Sequence, residues 1–166
     1  GSEMCIRDRF TTLHPNLGVV RFGGLDFVLA DIPGLIEGAH EGAGIGDRFL
    51  GHVERTAVLL HLVDATANQP LEAYRIVRSE MQSYGAGLDD KPEVLALSKA
   101  DAVDAAELSE KTLALEAEAG VKPLHVSAVT GQGVPEVLAA LARRVEAMRE
   151  SENPASMPRT GQGWQP

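Results

Sequence analysis

Leu25-Asp26-Phe27-Val28-Leu29-Ala30-Asp31-Ile32-Pro33-Gly34 runs from a β-rich stretch straight into a carboxylate and a Pro-Gly turn. Two later stretches are built alike. Glu93-Val94-Leu95-Ala96-Leu97 leads into Ser98-Lys99-Ala100-Asp101, and Leu124-His125-Val126 leads into Ser127-Ala128-Val129. Ala57 to Val63 and Glu93 to Leu97 are nearly unbroken apolar runs, which predicts strands covered on both faces. Between them lie helical patterns. Tyr74, Val77, Met81 and Tyr84 recur at three- and four-residue steps, as do Leu108, Thr112, Leu115 and Ala119, with Gly120 as a stop. Val134, Val137, Leu138, Leu141, Val145 and Met148 form the clearest amphipathic face. Strand followed by helix, repeated, specifies an α/β fold with a mostly parallel sheet and helices on both sides.

Upstream, Leu17 to Arg21 and Leu25 to Ala30 flank Gly23-Gly24, the spacing of a β-hairpin. Residues 1–9 carry no strand or helix period and hold the single cysteine, Cys5; they read as a foreign or mis-joined segment. Residues 10–150 read as the folded part. Residues 151–166, rich in Pro and Gly, are expected to form a disordered tail with Trp164 exposed.

The bulk composition narrows the classes. A chain of 166 residues is one domain's worth, and 44% hydrophobic with 23% charged residues is globular. A net charge of −9 argues against a broad electrostatic grip on nucleic acid or anionic lipid. One cysteine excludes an internal disulfide. The longest apolar run is interrupted by His61 and is too short to cross a bilayer, so no membrane role and a cytoplasmic location are expected. Nothing in the pattern specifies an oligomeric state.

The residues after each strand have a chemistry in common. Open α/β folds bind ligands at the carboxyl ends of their strands. There Asp31 is placed to hold Mg²⁺ through a water, and Gly34 admits a backbone N–H close to a phosphate oxygen. The same residues also suit a plain Asp-x-Pro-Gly turn. Gly38, Gly42, Gly44 and Gly46 mark either a ligand-ordered switch or a flexible surface loop. Asp101 is suited to accept hydrogen bonds from N1–H and the exocyclic amine of guanine, a donor pair that adenine lacks on that edge. The Lys99 stem is suited to lie along the base plane. Asp101 near a helix N-cap is the plainer alternative. Backbone N–H groups of Ser127, Ala128 and Val129 can approach the guanine carbonyl, or simply turn from strand to helix. In Phe10-Thr11-Thr12-Leu13 a threonine hydroxyl can ligate Mg²⁺, although Thr is also a β-former near a strand start. His14, His40, His52 and His61 show no metal-ligand spacing, and His61 reads as a satisfied core histidine. No Gly-x-Ser-x-Gly occurs.

Phe10-Thr11-Thr12-Leu13-His14-Pro15-Asn16-Leu17-Gly18, Asp31 to Gly44, and Arg48-Phe49-Leu50-Gly51-His52-Val53-Glu54-Arg55-Thr56 resemble the Obg/CgtA GTPases, over roughly residues 10 to 150. The resemblance implies a P-loop GTPase-like three-layer sandwich that binds GTP or GDP with Mg²⁺, hydrolyses GTP and serves assembly of the large ribosomal subunit. It implies nucleotide contacts from Phe10, Thr11, Thr12, Leu13, His14, Asp31, Ile32, Pro33, Gly34, Ser98, Lys99, Ala100, Asp101, Ser127, Ala128 and Val129. Thr12 would ligate Mg²⁺ directly and Asp31 through a water. Leu35 stands where many small GTPases carry a catalytic glutamine, which implies slow hydrolysis helped by a partner, a cation or backbone groups; no catalytic side chain is assigned.

The sequence departs from that family at four points. No Gly-x-x-x-x-Gly-Lys-Ser/Thr loop occurs in the 166 residues, and the strand before it and helix after it are expected to be absent too. Two strand edges and an apolar surface should then lie open. Ser98 stands in place of Asn, so the base loop is expected to be tied less firmly. The glycine-rich amino-terminal domain of the family is also not seen. Two other readings stay open: a non-enzymatic module docking through Arg48 to Arg55, or a truncated chain without function.

Overall fold

Residues 16–31, 53–85 and 87–152 are described in the computed structural model. The hairpin forms where the two β-rich runs meet. β1 (Asn16–Phe22) pairs antiparallel with β2 (Leu25–Asp31), with Val19 opposite Val28. Gly23 and Gly24 turn the chain at φ 60° and 83°, which the primed hairpin turns require of at least one central residue and which only glycine adopts freely.

The second sheet is parallel, in the order β3 (Leu59–Asp64), β4 (Glu93–Ser98), β5 (Leu124–His125). Side chains along β4 alternate between its two faces, as the pleat dictates. Leu95 and Leu97 join Val63, Tyr74 and Leu115 in a core beneath helices α1 (Pro70–Tyr84) and α2 (Ala105–Ala119). Val94 and Ala96 face the other way, onto Val137 and Leu141 of α3 (Val134–Glu152). The result is helix, sheet, helix: the three-layer α/β arrangement expected from the sequence. Phe27 packs into the α3-side core, which brings the hairpin onto the same layer.

Local signals set the helix ends. Pro70 sits in the first turn of α1, where a missing N–H costs nothing. The Asp104 side chain caps α2 by accepting from Glu107 N–H at 2.8 Å, and Gly120 closes it in the left-handed region at φ 70°.

Three expectations change. β3 begins at Leu59, because its first cross-link is Leu59 N–H to Pro92 O at 2.9 Å; Ala57 and Val58 bend before it. β3 is also not covered on both faces: Leu62 is 53% exposed, since β3 is a sheet edge among the described residues. β5 is two residues long, because Val126 leaves the ladder; its N–H reaches Leu97 O and its carbonyl accepts from Ala100 N–H. The hairpin and the parallel sheet are separate, and no strand joins them among the described residues. The segments 1–15, 32–52 and 153–166 fall outside the described residues, and with them the expectations for residues 1–9, the glycine-rich stretch and the tail.

Candidate guanine-nucleotide site

Two of the predicted loops meet at the carboxyl ends of β4 and β5. The Ala100 N–H donates to Val126 O at 3.2 Å, which ties Ser98-Lys99-Ala100-Asp101 to the segment leading into Ser127. Asp101 lies in a short 3₁₀ turn, Ala100–Ala102, with an exposed side chain. It does not cap α2, because Asp104 does. Among the described residues its carboxylate has no hydrogen-bond or ionic partner, so both oxygens can accept from an incoming base.

Ser127 is fully buried and entirely engaged. Its N–H donates to Gln132 O at 2.9 Å, its carbonyl accepts from Gly131 N–H at 2.9 Å, and its Oγ accepts from Thr130 N–H at 3.1 Å. Ser127 therefore builds the turn rather than touching a base. The exposed Ala128 and Val129 N–H groups have no protein partner among the described residues and can meet a carbonyl oxygen. Beneath this turn Gly133 passes so close to His125 that a Cβ there would sit 1.8 Å from its carbonyl oxygen. Gly133 was not singled out from the sequence; its signal was Gly131-Gln132-Gly133 between strand and helix.

Lys99 is the one non-glycine residue with positive φ among the described residues, at 56°. Such a conformation costs an L-residue roughly 1–2 kcal/mol and is tolerated where the surroundings fix it. Its Nζ lies 2.5 Å from Asp64 Oδ2, at the end of β3. Asp64 Oδ1 accepts from both Thr66 N–H, at 2.8 Å, and Thr66 Oγ, at 2.6 Å. Burial alone would raise the Asp64 carboxyl, but the bonds from Lys99 and Thr66 outweigh it and hold it below the ordinary carboxylate range. The side chains of Asp64 and Lys99 are 38% and 61% exposed, so the pair contributes at most about 1 kcal/mol to stability. Ser98 Oγ donates to Val63 O at 3.2 Å, so the serine in the asparagine position still ties the loop to β3. Sequence reasoning passed over Asp64, although it ends an apolar strand just as Asp31 does.

Asp31 closes β2 in the other sheet, exposed and without an ion pair among the described residues. No hydrogen bond or ion pair links it to the Lys99–Asp101 loop among those residues. Its unengaged carboxylate fits the outer-shell contact that a hydrated Mg²⁺ accepts. No group of three or more His, Cys, Asp or Glu forms a metal cluster among the described residues. Phe10, Thr11, Thr12, Leu13, His14, Ile32, Pro33 and Gly34 lie outside the described residues. His61, as expected, is a satisfied core histidine: Nδ1 is 2.7 Å from Glu93 Oε1, and the ring stacks on Tyr74 at 5.0 Å.

A model of the 50S ribosome-binding GTPase family matches residues 6–99, more than half of the chain. The chain belongs to that family. As a 50S ribosome-binding GTPase it carries a domain type that binds and hydrolyses GTP. The matched span takes in Asp31 to Gly34, Asp64, Ser98 and Lys99; Asp101 and Ser127 lie beyond it and rest on geometry. No helix among the described residues is long and apolar enough to cross a membrane.

Proposed function

We propose that this chain is the guanine-nucleotide domain, in part, of an Obg-type GTPase acting in assembly of the large ribosomal subunit in the cytoplasm. The observation that carries the reading is the junction of the Lys99–Asp101 loop with the Ser127–Val129 turn. The loop carries an unengaged carboxylate, and the turn tied to it through Ala100 N–H and Val126 O carries two unengaged backbone N–H groups. Guanine offers the complementary set on one edge: N1–H and an amine for Asp101, and a carbonyl oxygen for Ala128 and Val129. Adenine would leave those groups without partners, at a cost of roughly 1–3 kcal/mol for each one buried.

In this reading Thr12 and Asp31 would hold Mg²⁺, which would neutralise phosphate charge. Ile32 to Gly34 and Phe10 to His14 contact the phosphates through backbone groups. Leu35 cannot orient water, so intrinsic turnover is slow. The phosphate-cradling loop that supplies most phosphate affinity in such domains is not in this sequence. Binding by this chain therefore rests on the base and is weak.

Titration with GDP, followed by amide NMR, tests this. Shifts at Lys99 to Asp101 and at Ala128 and Val129, in the millimolar range, are expected with GDP. ADP should shift them less, and Asp101→Ala should abolish the difference. Equal response to GDP and ADP in the native chain would remove the base-recognition reading, and submicromolar affinity would contradict the expected weakness of phosphate binding.

A further inference from the structure

The Lys99 ammonium is captured by a residue outside every nucleotide motif recognised in the sequence. Asp64 belongs to β3 and Lys99 follows β4, and the two meet because Asp64 stands opposite Ser98 in the parallel register. The hold on Asp64 is itself built up from behind. Ala65 N–H donates to Ser98 O at 2.9 Å. Lys111 of α2, whose side chain is only 13% exposed, donates to Ala65 O at 2.6 Å and Ala67 O at 3.1 Å. Thr66 fills Asp64 Oδ1 with two donors, which turns Oδ2 toward Lys99. So a largely buried lysine clamps the loop, the loop fixes a carboxylate, and the carboxylate fixes a second lysine.

From this chain of contacts we infer that Asp64, oriented by Thr66, is a positioning residue for guanine binding: it holds Lys99 across the ends of the strands as a preset platform for the base. The inference rests on the guanine-site reading above. A lysine free in solution loses rotamer freedom when a base settles on its stem, and one already held by its ammonium loses much less. The stem stays accessible, since the Lys99 side chain is 61% exposed while its tip is tied. The left-handed backbone at Lys99 sets the direction in which that stem leaves the chain. With its two side chains 61% and 38% exposed, the pair adds little to stability, and its effect is to orient Lys99.

The test is GDP titration by amide NMR on the native chain and on Asp64→Asn, Thr66→Val and Thr66→Ser, with thermal melts of each. Asp64→Asn removes the charge in the same shape and should weaken GDP binding about fivefold, the gain that pre-ordering one long side chain gives. Thr66→Val removes the hydroxyl that orients Asp64 and should give a smaller loss, and Thr66→Ser should restore native affinity. The melting temperatures should stay close to native, which separates positioning from loss of fold. Native affinity in Asp64→Asn, with GDP shifts intact in the native chain, would overturn the role of Asp64 and leave the guanine site standing. Absence of any GDP-induced shift in the native chain would overturn both.

Discussion

The parallel sheet and the hairpin are built from equally β-rich sequence, yet they are held in different ways. β4 is enclosed: Ala96 and Leu97 are fully buried, and each face meets its own helices. The hairpin has one packed face. Phe27 is its single buried residue, while Leu17 and Val19 are each 68% exposed and Val28 is 60% exposed. One side-chain hydrogen bond, Arg149 to Asp26 O at 2.9 Å, adds to that packing. The difference teaches where a site can be rigid. The base-side loops spring from strands clamped on both faces, whereas Asp31 springs from a strand clamped on one.

Two substitutions can break or sharpen that contrast. Phe27→Ala should have the largest effect, about 3–5 kcal/mol, drawn from the docking of the hairpin on α3. Hydrogen exchange should then rise across β1 and β2 while the β4 amides stay protected. Equal loss of protection in β4 would show that both regions open as one unit. Gly133→Ala acts on the other side. Its φ of 74° disfavours any Cβ, and the new atom would meet the His125 carbonyl, so a loss of about 2–3 kcal/mol is expected. Denaturant unfolding measures it. Unlike Phe27→Ala, it should also disturb the Ser127–Val129 amides, because the turn is folded over Gly133.

Much of this was legible beforehand because it is local. The period of Val134 to Met148 gave α3, Gly120 gave the end of α2, and Gly23-Gly24 gave the hairpin. The cap of α2 was misplaced: the sequence reading offered Asp101, while the cap is Asp104, whose Asp-x-x-Glu spacing to Glu107 is an equally local signal. What escaped was set by strand register and close approach. Asp64 and Lys99 are 35 residues apart, and only the parallel pairing of β3 with β4 brings them together. The exposure of Leu62 depends on which strand lies at the edge, and an apolar run does not carry that information. At the site, the division of labour within Ser127–Val129 depended on hydrogen bonds no motif displays.

The smallest expected effect tests how firmly the base-side region is closed. The Thr112 hydroxyl has one proton, and it is donated to Leu108 O at 2.6 Å. With that proton committed, His125 Nε2, 2.7 Å from the same oxygen, is placed to donate in that contact. Burial, and secondarily the charge of Lys122, lowers the His125 pKa below its ordinary 6.5. The folded chain then binds this proton less readily than the unfolded chain. Stability linked to His125 is accordingly complete above pH 6.5 and declines as the pH falls through 6.5 toward the lower folded-state value. His125→Gln keeps an N–H donor toward Thr112 but cannot titrate. Urea unfolding of both chains from pH 8 to pH 5 should show midpoints that diverge only below neutrality, with the native chain losing more. Parallel curves would mean that His125 reaches solvent as easily folded as unfolded. The turn under Ser127 would then be as loosely closed as the hairpin, and the contrast between the two regions would fail at the residue that joins β5 to the nucleotide loops.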